Sequence, residues 1–174
     1  MNGQIEKAAE ILKNGGVVIL PTDTVFGLFT RISNEAGIER IYRMKERDKD
    51  KPLVILIPDI EDVWNWVEKS ESLEELCRRY WPGATTLIMR TKDKGTIGIR
   101  NPDCPPVIEV MKITGPLYAT SANVSGTKAP ASIEEIPSSI KENCDLVEDF
   151  SCHPSGEPSQ IIDVSTDDIK VIRS

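Results

Sequence analysis

Between Arg40 and Lys51 the chain carries six basic residues (Arg40, Arg43, Lys45, Arg47, Lys49, Lys51) against three acidic ones (Glu46, Asp48, Asp50), a local charge of +3. Arginine suits two-pronged contact with phosphate or carboxylate and lysine supplies a mobile point charge, so such a segment can hold a polyphosphate. A solvated mixed-charge loop accounts for the same composition. Three small polar stretches next to apolar runs also attract notice: Thr22-Asp23-Thr24, Ser121-Ala122-Asn123 and Pro158-Ser159. Each reads as a loop following a strand, and in open α/β sheets ligands gather beyond strand ends. Taken singly, these stretches read more simply as turns and caps, because Ser, Thr, Asp and Asn bond readily to nearby backbone.

Several chemistries are absent from the pattern. No G-x-x-x-x-G-K-[ST] run and no G-x-G-x-x-G occurs, which removes the P-loop and Rossmann modes of nucleotide binding. The single histidine, His153, follows no nucleophile motif, and neither Ser121 nor Ser159 sits in a G-x-S-x-G elbow. Cys77, Cys104, Cys144 and Cys152 include no C-x-x-C pair, and Cys152 beside His153 lacks the further ligands a zinc site needs. No protein metal site is expected. An enzyme without these parts works by positioning and electrostatics.

The 174 residues suit one domain, residues 1–174, and 39% hydrophobic with 28% charged residues is the balance of a globular core under a charged surface. The formal charge of -7 disfavours a general nucleic-acid binder and makes any anion site local. The longest aliphatic runs, Val17–Leu20 and Leu53–Ile57, fall far short of the roughly 18 residues of a membrane helix. With no export signal visible after Met1, a cytoplasmic location is expected, without membrane contact.

The elements that must position these residues follow from periodicity. Helices are expected over Gln4–Asn14, from an Asn34 cap to Lys45, over Ile60–Val67, from the Ser72-Leu73-Glu74-Glu75 capping box to Tyr80, from Pro102–Pro106 to Ile113, and from Ser132 onward. Strands are expected at Val17–Leu20, Leu53–Ile57, Thr85–Thr91, Thr96–Arg100 and Leu117–Thr120, with short ones at Leu146–Glu148, Gln160–Ser165 and Ile169–Arg173. Lys92-Asp93-Lys94-Gly95 joins two of them as a hairpin. In the last strand, alternation puts Ile169, Val171 and Arg173 on one face. The irregular mix predicts an α/β (α+β) fold, a mixed sheet covered by helices.

Six ordered segments carry a family resemblance: Pro21-Thr22-Asp23-Thr24-Val25-Phe26-Gly27-Leu28; Lys45-Glu46-Arg47 with Lys51-Pro52-Leu53; Trp81-Pro82-Gly83; Gly98-Ile99-Arg100 with Pro102; Ser121-Ala122-Asn123 with Ser125-Gly126; and Pro158-Ser159. From about Ile5 to Arg173 the chain resembles the YrdC-like threonylcarbamoyl-AMP synthases, whose signature is the K-x-R and S-x-N pair. The resemblance implies a twisted mixed sheet flanked by helices, with a concave cavity for ATP and L-threonine. It implies an L-threonylcarbamoyladenylate synthase, a nucleotidyltransferase that joins L-threonine, bicarbonate and ATP with loss of pyrophosphate. The product then passes to a tRNA threonylcarbamoyl transferase complex.

Carried over by position, Thr24, Arg100 and Ser159 resemble the threonine contacts, with Arg100 on the carboxylate. Lys45, Arg47 and Lys51 look like the cationic wall around the phosphates, Lys45 and Arg47 being the catalytic pair. Thr96, Ser121, Asn123 and Arg173 would serve the nucleotide. Mg2+ is expected to arrive with the ATP, held mainly by phosphate oxygens and water. Phe26 stands where many relatives carry tyrosine, Gln160 where threonine is common, and Ala129-Pro130 where Ser-Pro is usual. Two other readings compete: an RNA-binding or ribosome-maturation factor using the same concave surface, and a carbamoyl-transfer module of the kind found within much longer chains.

Overall fold

The computed structural model describes residues 2–174. Its elements, in order, are α1 (Asn2–Lys13), β1 (Val18–Leu20), β2 (Gly27–Arg31), α2 (Glu35–Met44), β3 (Val54–Leu56), a 3-10 helix (Ile60–Asn65), α3 (Glu71–Tyr80), β4 (Thr85–Arg90), β5 (Thr96–Arg100), α4 (Pro105–Thr114), β6 (Leu117–Ser121), α5 (Ser138–Lys141), β7 (Leu146–Val147), β8 (Gln160–Asp163) and β9 (Lys170–Arg173). The nine strands among the described residues form one mixed sheet in the order β7-β1-β2-β6-β3-β5-β4-β8-β9. The expected hairpin is β4 against β5, antiparallel from Arg90 opposite Thr96 to Leu87 opposite Ile99.

Helices cover both faces, which is why Val17–Leu20 is buried along its whole length. Val18, Leu20, Phe29, Leu117 and Ala119 pack with the apolar stripes of α1 and α4. Val17, Ile19 and Leu28 face the other way, onto Ile41 of α2 and Ile140 of α5. At the far half of the sheet Leu87, Met89, Ile99 and Ile162 bury Val63, Cys77 and Trp81.

The sequence reading needs four corrections here. Ser70, not Ser72, caps α3: its hydroxyl accepts from the Leu73 N–H at 3.3 Å. The helix expected from Ser132 is confined to Ser138–Lys141, because Pro137 donates no backbone hydrogen bond and disfavours helical geometry in the residue before it. Pro158-Ser159 leads into β8 and does not follow a strand. In β9, Ile162 pairs with Val171 but Ile161 with Arg173, so Ile172 is an extra residue in a bulge. The bulge breaks the alternation: Arg173 takes the face of Ile161, and Val171 that of Ile162.

Asn34 caps α2 as expected, accepting from the Gly37 N–H at 3.0 Å and donating to Thr30 Oγ1 and the Gly15 carbonyl, both at 2.8 Å. A Cβ on Gly37 would overlap Asn34 Nδ2 and Thr30 Oγ1. Gly37→Ala should therefore lower stability by about 1–3 kcal/mol through overpacking, although alanine is the better helix former by about 1 kcal/mol. Urea unfolding of the two forms checks this, and a stabilised variant would contradict it.

Candidate functional site

A cavity of about 560 Å³ opens on the face of the sheet that carries Phe29, Leu56 and Ala119, with side chains from β2, β3, β4, β5, β6, β8 and β9 in its walls. Two buried cations stand in this cavity, each held differently.

Arg100, at the end of β5, is 5% exposed. Its Nε donates to the Gly83 carbonyl at 2.9 Å, Nη1 donates to Thr24 Oγ1 at 3.0 Å, and Nη2 is ion-paired with Asp23. These bonds occupy three of the five guanidinium N–H groups and leave two for a ligand. Burial presses the arginine below its ordinary pKa while Asp23 opposes the shift. The loop bearing Thr24 is itself fixed: Thr22 Oγ1 lies 2.8 Å from Thr24 Oγ1 and 2.8 Å from the Val25 carbonyl. From behind, the Ser155 and Gly156 N–H groups donate to the Asp23 and Thr24 carbonyls at 3.1 and 2.8 Å. Gly156 does so at φ 84°, a conformation glycine adopts at no steric penalty.

Lys45, just after α2, is 1% exposed. Its ammonium donates to the Ser121 carbonyl, to the Asn123 carbonyl at 2.7 Å and to Asn123 Oδ1 at 3.1 Å. Three donors meet three acceptors, so Lys45 ties the K-x-R turn to the S-x-N loop rather than standing free in a phosphate wall. Asn123 in turn donates to the Thr127 carbonyl at 2.6 Å, and the Ser125 N–H donates to the Lys45 carbonyl at 2.9 Å. Burial, reinforced by the charge of Arg47, lowers Lys45 from 10.5 to about 7.

Arg47 and Lys51 line the same cavity. Arg47 braces its own loop by donating to the Lys51 and Pro52 carbonyls at 2.9 and 3.1 Å. The rest of the basic segment disperses: Arg40 pairs with Asp145 at 2.7 Å and Lys49 with Glu39 at 2.6 Å. Ser159 Oγ, buried, lies 3.0 Å from Thr86 Oγ1, and its carbonyl accepts from Arg173 Nε and Nη2 at 2.9 and 2.7 Å. Arg173 thus reaches the cavity from β9, on the face to which the bulge turns it.

Thr24, Lys45, Arg47, Lys51, Arg100, Ser121, Asn123, Ser159 and Arg173 therefore meet in one cavity. Thr96 does not. It is exposed at the opposite end of β5, four residues and roughly 13 Å of strand from Arg100, and lines no part of the cavity. Sequence reasoning missed Asp23 as the counter-charge of Arg100, Gly83 as its acceptor and Thr86 as the partner of Ser159. Asp23 was signalled by its place between two site threonines and Gly83 by the Trp81-Pro82-Gly83 motif; Thr86 carried no signal beyond strand alternation. No group of three or more His, Cys, Asp or Glu that could hold a metal ion occurs among the described residues. Burial pushes the Cys77, Cys104 and Cys144 thiols up to about 12, away from nucleophilic thiolates.

Fold and site together define a mixed α/β protein with a cavity lined by sheet and loop cations. The chain belongs to the Sua5/YciO/YrdC family, whose model, described as telomere recombination, matches residues 10–174. It is 33% identical to a Methanocaldococcus jannaschii protein provisionally named threonylcarbamoyl-AMP synthase, over 97% of this chain and 86% of that one. It is 29% identical to the threonylcarbamoyl-AMP synthase of Vibrio vulnificus, over 97% and 98% of the two chains. Its fold is similar to Pyrococcus abyssi Sua5 complexed with L-threonine, with a TM-score of 0.90 and 26% identity over 99% of this chain and 54% of that one. The chain thus spans about half the length of the Pyrococcus abyssi protein.

The depressed pKa of Lys45 has a definite sign in stability. The unfolded chain holds this proton up to about 10.5 and the folded chain releases it near 7, so between those values the unfolded state binds more protons. The contribution of Lys45 to stability is lowest below pH 7 and rises with pH across that window, by about 1.4 kcal/mol per pH unit at most. Urea titrations at several pH values should show this rise in the native chain and its loss in Lys45→Met. Parallel pH profiles for the two would refute the assignment.

Proposed function

We infer that the chain is an L-threonylcarbamoyladenylate synthase, making threonylcarbamoyl-AMP and pyrophosphate from L-threonine, bicarbonate and ATP for tRNA threonylcarbamoyladenosine modification. The observation that carries this reading is the Arg100–Thr24–Asp23 cluster facing the Lys45, Arg47 and Lys51 side of one cavity, in a fold shared with Sua5 complexed with L-threonine.

The reaction asks for what this cavity offers. Threonine's amine adds to bicarbonate with loss of water to give a carbamate. A carbamate oxygen then attacks the α-phosphorus of ATP, and pyrophosphate leaves. Carbamate and triphosphate are both anionic, so fixed cations are needed to bring them together and to stabilise the leaving group. In our assignment the two free N–H groups of Arg100 take the threonine carboxylate, with Thr24 and Ser159 beside it. Arg47 and Lys51 meet the phosphates, Ser121, Asn123 and Arg173 hold the nucleotide, and Lys45 acts chiefly through the loop it ties down. Thr96 is withdrawn from the nucleotide set because of its position. ATP is taken as its magnesium complex, the ion held by phosphate oxygens and water, since the wall facing the phosphates is cationic. The product is handed to a tRNA threonylcarbamoyl transferase complex, and we place both partners in the cytoplasm. No helix among the described residues is long and apolar enough to cross a membrane. RNA binding is the weaker reading, because the net charge is -7 and, of the basic segment, Lys45, Arg47 and Lys51 line a concave cavity while Arg40 and Lys49 pair with Asp145 and Glu39.

Pyrophosphate release should require both L-threonine and bicarbonate, and equal turnover with threonine omitted would reject the synthase. Arg100→Ala should raise the KM for threonine far more than that for ATP, by about tenfold or more for a lost charge-assisted contact of 1.5–3 kcal/mol. Arg47→Ala and Lys51→Ala should do the reverse. Substrate titrations of each variant decide between this split and its opposite. Deleting Arg173 and Ser174 should weaken ATP binding sharply in calorimetry, whereas deleting Ser174 alone should not.

A further inference from the structure

Cys104 and Cys152 lie 48 residues apart in sequence, yet their Sγ atoms are 4.0 Å apart. Cys104, 3% exposed, sits at the N-terminal boundary of α4, and Cys152 is half-buried in the loop before β8. Both thiol hydrogens have other acceptors: Cys104 Sγ donates to the Pro21 carbonyl at 3.8 Å and Cys152 Sγ to the Phe150 carbonyl at 3.9 Å. Both partners also brace the same loop. Cys104 bonds to Pro21, and the Cys152–Ser159 segment bonds through Ser155 and Gly156 to Asp23 and Thr24.

We propose that Cys104 and Cys152 are a dithiol modification site, oxidised by low-molecular-weight disulfides to a cross-link that shifts the Thr22–Thr24 wall of the cavity. Cys152, the more accessible thiol, attacks one sulfur of the reagent as its thiolate, and its proton ends on the first departing reagent thiolate. Cys104 then attacks the Cys152 sulfur of the mixed disulfide, and its proton goes to the second departing thiolate. Two protein thiols become one disulfide while the reagent disulfide is reduced to two thiols. Burial disfavours the Cys104 thiolate, so closure by Cys104 is the slow step, and the 4.0 Å separation of the two sulfurs is what directs it to Cys152. Cys77 and Cys144 lie in other apolar clusters than this pair, and the sulfur Cys144 meets is that of Met44, at 4.0 Å. A disulfide needs its sulfurs at about 2.05 Å, so closure must draw them together by about 2 Å. That movement passes through Ser155 and Gly156 to Asp23 and Thr24, which orient Arg100.

The effect on threonine rests on the synthase reading; formation of the cross-link does not. The full chain is incubated with glutathione disulfide, and its intact mass, free thiols and cross-linked peptides are measured. The expected result is loss of two hydrogens and of two thiols out of four, with Cys104 joined to Cys152, reversed by dithiothreitol and abolished in Cys152→Ser. A persistent glutathione adduct on Cys152, or unchanged thiols, would overturn the site. Calorimetry on the reduced and oxidised forms should show threonine bound at least threefold more weakly after oxidation and ATP bound equally. Equal threonine affinity in the two forms would overturn the coupling to the cavity wall. Absence of threonine binding in both forms would count against the synthase and leave the cross-link result standing.

Discussion

A positive charge withdrawn from water must be matched by oxygen atoms, and this chain meets that requirement twice within one cavity. Lys45 is surrounded by neutral oxygens, two of them backbone carbonyls, whereas Arg100 faces a carboxylate, a hydroxyl and a carbonyl. Much of the architecture around the site can be understood as supplying those oxygens at fixed points. The end of β6 turns so that Ser121 and Asn123 present carbonyls to one ammonium, and the Trp81-Pro82-Gly83 segment places one carbonyl against the guanidinium. Removing an oxygen partner leaves a buried charge under-solvated, which is far more damaging than losing an ordinary surface ion pair.

The two solutions have different electrical consequences. Arg100 with Asp23 is close to neutral as a unit, so an incoming carboxylate meets directed N–H groups more than a strong field. Lys45 has no carboxylate among its hydrogen-bond partners, and Arg47 is near enough to depress its pKa. With Arg47 and Lys51 beside it, that side of the cavity is rich in positive charge, an arrangement suited to a polyanion. Two electrically different ends thus share a space of about 560 Å³.

Local chemistry was legible in the sequence where it depended on residue type. Asn34 announced a cap, Lys92–Gly95 a hairpin and Pro102–Pro106 the approach to a helix, and all three stand as expected. The charge excess around Lys45 pointed at a segment that does reach the cavity, through Lys45, Arg47 and Lys51. What remained hidden depended on three-dimensional partners. Nothing in the segment Arg40–Lys51 says that Arg40 will meet Asp145 or that Lys45 will be enclosed, because both outcomes follow from where residues 121–145 pass. Thr96 shows the opposite failure: it lies in the right strand, but a strand of five residues is long enough to put one end in the cavity and the other in solvent. The turn of Arg173 toward the cavity hangs on one bulged residue, Ile172, which alternation cannot reveal.

β9 is an edge strand, hydrogen-bonded to β8 alone, and all four of its residues are exposed. None of them belongs to the three apolar clusters that hold the sheet and helices together. Opening β9 therefore breaks a few ladder bonds without disturbing those cores, so its free energy lies at the low end of the molecule's range of local openings. Arg173 and the Ser159 carbonyl are joined across this weak seam. The Arg173 side of the cavity rim therefore opens at a lower free energy than the walls bearing the buried Lys45 and Arg100, so the two ends of one cavity differ in local stability.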